Sequence, residues 1–201
     1  MKRIITLLFL LTPFFMVKAQ VLNIENGVLF SNTKFKANDV CNHTNHAVFL
    51  SFDYFKIKKS FYITTQVGYF ASGYYAYQYN YFGHLKENLK FKSREMHFSL
   101  SFRGKLPVGK NLFLYAGLGP KLDYSFDYKK KIEDHSVPNL NMFRNMFGGK
   151  FDLGVYKDIQ KYMIGFNTAY LTNFGNGGDF YTNRFVCSIS VGYIFEKPAK
   201  K

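Results

Sequence analysis

The sequence predicts an all-β protein, an eight-stranded antiparallel up-and-down transmembrane β-barrel. Three observations predict this fold: a chain start typical of export, eight segments in which apolar and polar residues alternate, and connections that are alternately short and long. Alternating segments of about ten residues are the signature of membrane strands. The chain has 201 residues, which is enough for one domain.

The start of the chain has the features of a secretory signal peptide. Its first residues are basic, an uncharged apolar run follows, and Ala19 is a small residue at a plausible cleavage site. The apolar run is shorter than the roughly 20 residues that a membrane-spanning helix needs. We therefore expect a signal peptide at residues 1–19, a barrel domain at residues 20–196 and a short basic tail at residues 197–201.

Eight segments alternate with a period of two, which places successive side chains on opposite faces of a strand. The first is the least regular and the last is the clearest, with Phe185, Ile189 and Val191 opposite Ser188 and Ser190. In chain order, the predicted strands lie at about 22–31, 48–54, 61–72, 95–103, 112–126, 147–155, 162–173 and 184–195.

The predicted connections fall into two groups. Short turns are expected at residues 58–60, 107–111 and 157–161. The alternate connections are longer, at about residues 33–45, 75–90 and 127–145, with a shorter one at residues 175–179. Short turns on one rim and long loops on the other are typical of outer-membrane barrels, whereas a soluble sandwich has no reason to sort its connections in this way.

The composition of the two faces predicts which one points inward. Glycines fall on the polar face, and the narrow interior of an eight-stranded barrel favours small side chains. The apolar face is rich in Phe, Leu and Tyr, with aromatic residues near the strand ends, where interfacial girdles belong. The polar face is therefore expected inside. A soluble, lipocalin-like barrel with the faces reversed is the alternative.

This arrangement predicts a network of charges in the lumen. Its five acids and four bases nearly balance, as burial requires, because an unpaired buried charge costs several kcal/mol. The predicted lumen residues are Glu25, Asp53, Glu95, Arg103, Lys121, Asp123, Lys150, Asp152 and Arg184.

Four segments, at residues 46–75, 97–126, 148–176 and 184–195, resemble the PorT-type outer-membrane β-barrel family. The resemblance covers roughly residues 20 to 195. Ala116-Gly117 matches the centre of a family strand, while Ser101 stands where the family usually has a proline. The resemblance implies an outer-membrane barrel, and some members of the family are implied to serve a protein-secretion apparatus.

The sequence predicts no catalytic, cofactor or metal site. His97 lies between Glu95 and Ser99 on one face of a strand, an arrangement that suggests a Ser-His-acid enzyme. A buried structural histidine is the preferred interpretation. The tyrosine-rich segment 74–82 is interpreted as an extension of the third strand that carries girdle residues, or as a binding loop. Cys41 and Cys187 are expected to remain unpaired.

The formal net charge of +14 indicates an anionic partner or a solvated surface. Nucleic acid is not expected for an exported chain, whereas lipid headgroups are. Lys129, Lys130 and Lys131 are candidate contacts for lipopolysaccharide, although the short turns are also basic. Outer-membrane lipid, lipopolysaccharide and other envelope proteins are the expected partners.

The expected function is that of a non-enzymatic integral outer-membrane protein with a structural, adhesive or assembly-partner role through its long extracellular loops. The alternatives are an accessory barrel of a secretion apparatus, a narrow small-solute channel, a lipid-A-modifying enzyme and a soluble lipocalin-like binder. Eight strands leave an interior filled with side chains rather than a pore, which disfavours the channel.

Overall fold

The computed structural model describes residues 21–35, 40–41, 43–58, 60–79, 85–132, 135–138, 145–174 and 180–195. The signal peptide predicted at residues 1–19 and the tail predicted at residues 197–201 lie outside these ranges. The strands are β1 (Val21–Phe35), β2 (Val40–Cys41), β3 (His43–Lys58), β4 (Phe61–Tyr79), β5 (Leu85–Gly109), β6 (Leu112–Ile132), β7 (His135–Pro138), β8 (Asn145–Ile159), β9 (Tyr162–Asn173) and β10 (Phe180–Ile194). In the described ranges, no helix is long and apolar enough to cross a membrane.

Eight of these strands form a closed antiparallel barrel. Each long strand pairs with the next along the chain, and β1 pairs with β10 from Val21–Ile194 to Phe35–Phe180. This last ladder removes the sheet edges that an open sheet would expose. The predicted eight-stranded antiparallel barrel is confirmed.

The short-turn rim is tighter than the sequence analysis predicts. β5 and β6 are joined by Lys110 and Asn111 alone, and β8 and β9 by Gln160 and Lys161. Asn111 and Gln160 have φ angles of 60° and 57°, so one residue of each tight turn adopts the left-handed conformation. The turns expected at 107–111 and 157–161 were therefore too long, because their outer residues belong to the strand ladders.

At the opposite rim, much of what was predicted as loop is strand. β4 and β5 stay paired up to Tyr79 and Leu85, β5 and β6 stay paired up to Leu89 and Ile132, and the short strands β2 and β7 add to β4 and β6. The alternation in the sequence did not reveal this, because a strand that continues beyond an apolar wall needs no alternation between its two faces. We call β2, residues 73–79, 85–94 and 127–132, and β7 the projecting sheet.

The outer wall of the barrel is apolar. Its exposed side chains are mainly aromatic and branched aliphatic residues, among them Ile24, Phe30, Phe102, Leu118, Phe147, Phe151, Ile164, Phe166, Phe185, Ile189 and Val191. A soluble protein rarely exposes so continuous an apolar surface. Cys187 is a free thiol.

Aromatic residues mark both ends of this wall. The rings of Tyr162 and Tyr193 meet edge-on near the short turns, and Tyr170 is exposed eight positions further along β9. Eight strand residues span about 26 Å, or roughly 20 Å along the barrel axis at a tilt of about 40°. This spacing suits the apolar band of an outer-membrane barrel, which is about 25 Å tall.

Candidate functional site in the barrel lumen

All nine predicted lumen charges are buried inside the barrel, with exposed fractions between 0% and 9%. Successive side chains of a strand point to opposite faces. Each charged side chain therefore points into the lumen while its apolar neighbours in the same strand point outward. The charges form two clusters. One lies toward the projecting sheet and the other toward the short-turn rim.

The first cluster is centred on Arg184 of β10. Its guanidinium donates to Glu95 Oε1 and to Asp123 Oδ2, each at 2.9 Å, and it stacks over the ring of Phe70 at 4.8 Å. Lys121 donates to Asp123 from the same strand and to Asn173 across the lumen. Two acids and two bases thus neutralise one another in this cluster.

The second cluster is centred on Arg103 of β5. It donates to both oxygens of Asp152, the shortest bond being 2.8 Å, and lies 3.7 Å from Asp53. Lys150 makes a further ion pair with Asp152 at 3.0 Å. The guanidinium also covers the ring of Tyr115 at 4.5 Å. A planar Arg fork suits this combined pairing and stacking, whereas a Lys ammonium could not provide both.

A hydrogen-bond chain connects Lys150 to Glu25. The Lys150 ammonium donates to Gln66 Oε1 at 2.7 Å, and Gln66 Nε2 donates to Glu25 Oε1 at 3.0 Å. Ser51 also donates to Glu25, at 2.9 Å. Gln66 therefore satisfies a base with its oxygen and an acid with its nitrogen. Sequence analysis did not single out Gln66, although its inward parity was visible in the alternation.

Glycines inside the barrel act as spacers between larger partners in adjacent strands. Arg103 and Asp152 are both register partners of Gly117, one on each side. A Cβ at Gly117 would lie 2.2 Å from Asp152 Oδ1 and 2.6 Å from Arg103 Cγ. The salt bridge therefore passes over a residue that has no side chain.

The same arrangement occurs where Gly68 separates Phe49 from His97. Both are its register partners, and the Phe49 ring fills the space above the glycine to meet the His97 ring edge-on at 5.6 Å. The glycines noted in the sequence are thus explained by specific cross-strand contacts rather than by smallness in general.

Two apolar layers in the lumen were not predicted. One contains Leu29, Ala47, Phe49, Phe70, Leu171 and Val186. The other, near the short turns, contains Tyr115, Tyr156 and Met163, packed against Val21 and Phe113. Apolar residues that interrupt a polar face, as Val186 does in the last strand, were the signal for them.

Lys105 is a lumen base that sequence analysis missed. Its ammonium lies 3.7 Å from the ring centroid of Phe113 and 4.7 Å from that of Tyr156. Lys105 has the same parity as Arg103, two positions earlier in β5, and this parity was the available signal.

His97 has the partners of a structural residue. Its Nδ1 is 2.6 Å from Asp123 Oδ1, and its ring packs against Phe49 and Phe70. His97 and Asp123 are both fully buried. Among the described residues, no three His, Cys, Asp or Glu side chains are grouped so as to hold a metal ion.

The space left inside the barrel is small. A cavity of about 10 Å³ lies between the charged clusters, lined by Glu25, Gln66, Arg103, Lys150 and Asp152 among others. This volume admits about one water molecule. Between the two charged clusters, the described interior is packed with side chains.

Comparison with known proteins supports the fold. No protein-family model and no curated protein sequence matches the chain. Among solved structures, the outer membrane protein OprG from Pseudomonas aeruginosa has a TM-score of 0.55 at 14% identity, covering 90% of this chain and 98% of that one. The chain has the fold of an eight-stranded outer-membrane β-barrel.

Two further solved structures have the same fold. Neisserial surface protein A has a TM-score of 0.52 at 10% identity, covering 87% of this chain and 97% of that one. The N-terminal β-barrel domain of Pseudomonas aeruginosa OprF has a TM-score of 0.50 at 11% identity, covering 89% and 99%. The more specific PorT-type resemblance has no matching family model and stays a prediction.

The Arg103 cluster predicts the cost of an unpaired lumen charge. Arg103→Leu leaves Asp152 and Asp53 without their shared base and is expected to lower the free energy of unfolding in detergent by about 3 kcal/mol. Arg103→Leu combined with Asp53→Asn should recover part of this loss, because the acid left without a base is neutralised while Asp152 keeps its ion pair with Lys150. Urea titration measures both variants, and an unchanged midpoint for Arg103→Leu would contradict the buried pair.

The spacer role predicts that alanine destabilises the barrel more at Gly117 than at Gly104, which lies in the neighbouring row. Gly117→Ala places a methyl group within the Arg103–Asp152 contact and is expected to destabilise the barrel by roughly 1–3 kcal/mol, the usual cost of overpacking. Gly104→Ala is the control, because a Cβ there meets its nearest atom, in Phe61, at 3.4 Å. Equal unfolding midpoints for the two variants would show that the salt bridge does not need the gap.

Proposed function

We propose that this protein is a non-enzymatic integral barrel of the outer membrane that uses its projecting sheet to bind other components of the cell surface. The observation that carries the proposal is the inverted distribution of side chains: charges are paired inside and an apolar wall lies outside. A soluble, ligand-binding barrel has the opposite distribution. A lipid environment satisfies the apolar wall, and the aromatic residues at its two ends fit the interfaces.

The packed lumen supports a binding role over transport. All eight barrel strands contribute side chains to the ion pairs and hydrogen bonds that fill the lumen. The contribution of β9 is Asn173. Solute passage would require these contacts to break, and each buried ion pair is costly to disrupt.

The same burial supports a non-enzymatic role. The histidine that most resembles a catalytic residue, His97, is enclosed by Phe49, Phe70 and Asp123. A barrel fold does not itself exclude catalysis, since activities are grafted onto folds by local sites. The enclosed His97–Asp123 pair offers no such site to a lipid or a soluble substrate.

The projecting sheet is the part of the molecule suited to partners. It continues three barrel strands beyond the apolar band, and its short strands β2 and β7 pair on the outer sides of β4 and β6. Exposed sheet edges and faces are common docking surfaces for other proteins. An accessory role in a secretion apparatus, which the PorT-type resemblance implies, would use the same sheet.

The strand register pairs basic residues of the projecting sheet with one another. Arg94 is exposed in β5, and Lys92 and Lys90 precede it at alternate positions of the same strand. Arg94 pairs with Asp127 while Glu95 pairs with Ser125, so Phe126 is an extra residue in β6 and forms a β-bulge.

Beyond the bulge, Lys129 and Lys131 of β6 are the direct register partners of Lys92 and Lys90 of β5. Lys130 is the register partner of Phe91. Two of the three candidate lysines predicted from the sequence therefore stand opposite another lysine, and the third does not.

Like charges directly opposite each other destabilise a sheet, and a bound anion would offset the repulsion within these two lysine pairs. The projecting sheet continues β5 and β6 beyond the apolar band, the level at which lipopolysaccharide phosphates lie in an outer membrane. We therefore propose lipopolysaccharide phosphate as the partner of the two lysine pairs, each lysine contributing roughly 1 kcal/mol.

The test compares Lys129→Gln/Lys131→Gln with the control Lys130→Gln. Loss of two phosphate contacts is expected to weaken lipopolysaccharide binding roughly 30-fold, the equivalent of about 2 kcal/mol. The control should bind like the unaltered protein. Binding is measured by co-purification and by titration of the folded barrel in detergent, with heat-modifiable gel migration as the check on folding.

A second measurement separates phosphate binding from simple solvation. Without lipopolysaccharide, the double variant should be at least as stable as the unaltered protein, because two like-charge contacts are removed. Equal lipopolysaccharide recovery for all three proteins would contradict the assignment of this partner.

A further inference from the structure

The outer wall has a groove near the short-turn rim. Gly104 and Ala116 are register partners, and the same row continues through Leu153 to Thr168. The next row toward the middle of the barrel is bulky, with Phe102, Leu118 and Phe151 in register. The row on the other side is bulky as well, with Leu106, Leu114, Val155 and Phe166. A groove of about 740 Å³ lies over Gly104 and Ala116, the two smallest residues of this row, and the bulky row on its short-turn side lines it.

The groove is apolar along its length. Its walls are formed by exposed hydrocarbon side chains, including Phe61, Leu106, Leu114 and Phe166. The Thr168 hydroxyl donates to the Leu153 carbonyl at 3.4 Å and so adds no unsatisfied polar group. The volume is in the range of roughly 300–1,000 Å³ typical of ligand pockets. An alkyl chain fits this lining, which is mainly hydrocarbon, and the polar residues Ser60 and Lys105 also border the groove.

The rim next to the groove is basic. Lys157 is exposed on the same face of β8 as Val155, two residues and about 7 Å further along the strand. Lys110 and Lys161 are exposed in the two adjacent turns. Asp158 is the acid at the end of β8, so these three lysines leave an excess of positive charge beside the mouth of the groove.

We propose that this groove binds one anionic phospholipid of the periplasmic leaflet. Its acyl chain lies along the row from Gly104 to Thr168, and its phosphate pairs with Lys157, supported by Lys110 and Lys161. The proposal rests on the proposed function, because it needs the barrel in the outer membrane with its short turns toward the periplasm. Each phosphate–lysine contact near a membrane surface contributes about 1 kcal/mol.

Charge complementarity selects a lipid over a second copy of this chain. A symmetric dimer through the groove would bring the same patch of each copy together, and the lysines of one rim would face those of the other. Like charges in that position oppose association, whereas a phosphate group is attracted by them.

Native mass spectrometry of the folded protein, released from detergent, tests the proposal with two lipids of identical acyl chains. Phosphatidylglycerol is expected to bind about tenfold more tightly than phosphatidylcholine, a difference of about 1.4 kcal/mol. Changing Lys110, Lys157 and Lys161 to Gln should abolish this preference and leave weak binding of both lipids. Ala116→Leu fills the groove and should weaken both.

Val191→Leu is the matched control, because it enlarges an exposed side chain of the outer wall on β10, away from the groove. Phosphatidylglycerol binding by Ala116→Leu equal to that of Val191→Leu would overturn the proposal. A dimer present in the unaltered protein and lost in Ala116→Leu would also overturn it, by assigning the groove to a second copy. Failure of the proposed function is distinguishable, because the unaltered chain would then lack the heat-modifiable migration of a membrane barrel.

Discussion

The pairing of charges in a closed, water-poor lumen is the constraint on which the rest of the structure depends. Placing Arg103, Arg184 and their acids inside the barrel is tolerable only if each charge meets an opposite one, because desolvation otherwise costs several kcal/mol per ion. Strand closure brings the partners together from neighbouring strands, and spacer glycines such as Gly117 let the side chains cross from one strand to the next but one. The residues that alternate with these lumen residues along each strand form the apolar outer wall.

The packing of the lumen bears on where the proposed function takes place. Ion pairs and apolar layers fill the described lumen, and a cavity of about 10 Å³ lies between the charged clusters. The proposed recognition sites therefore lie elsewhere, at the lysine pairs of the projecting sheet and at the groove near the short turns. Both proposals place positive charge at a membrane interface, and lipid phosphate is the ligand chemistry they share.

Strict alternation made much of the fold predictable. Because one face must be apolar and the other polar wherever a strand crosses the membrane, the inward parity of residues such as Glu95 and Asp152 was readable from the sequence. Where that requirement ends, the predicted bounds are wrong: residues 75–79 and 127–132 are strand rather than loop, because a strand beyond the membrane needs no alternation between its faces. The bulge at Phe126 and the different register partners of Lys129 and Lys130 depend on register, which sequence alone does not specify. Phe70 stands on the polar face of its strand and Lys105 lies beyond the regular alternation of β5, so the alternation predicted neither the apolar layer nor the extra base.

The inversion of polarity across the barrel wall is the central claim, and tryptophan quenching tests it most directly. The sequence contains no tryptophan, so a single introduced residue supplies the whole signal. Phe166→Trp lies on the outer wall, and Tyr156→Trp lies in the lumen beside Gly165, the residue before Phe166. In liposomes of brominated lipid, we predict strong quenching of the tryptophan introduced at position 166 and little quenching of the one at position 156. Equal quenching at the two positions, or stronger quenching at position 156, would contradict the account.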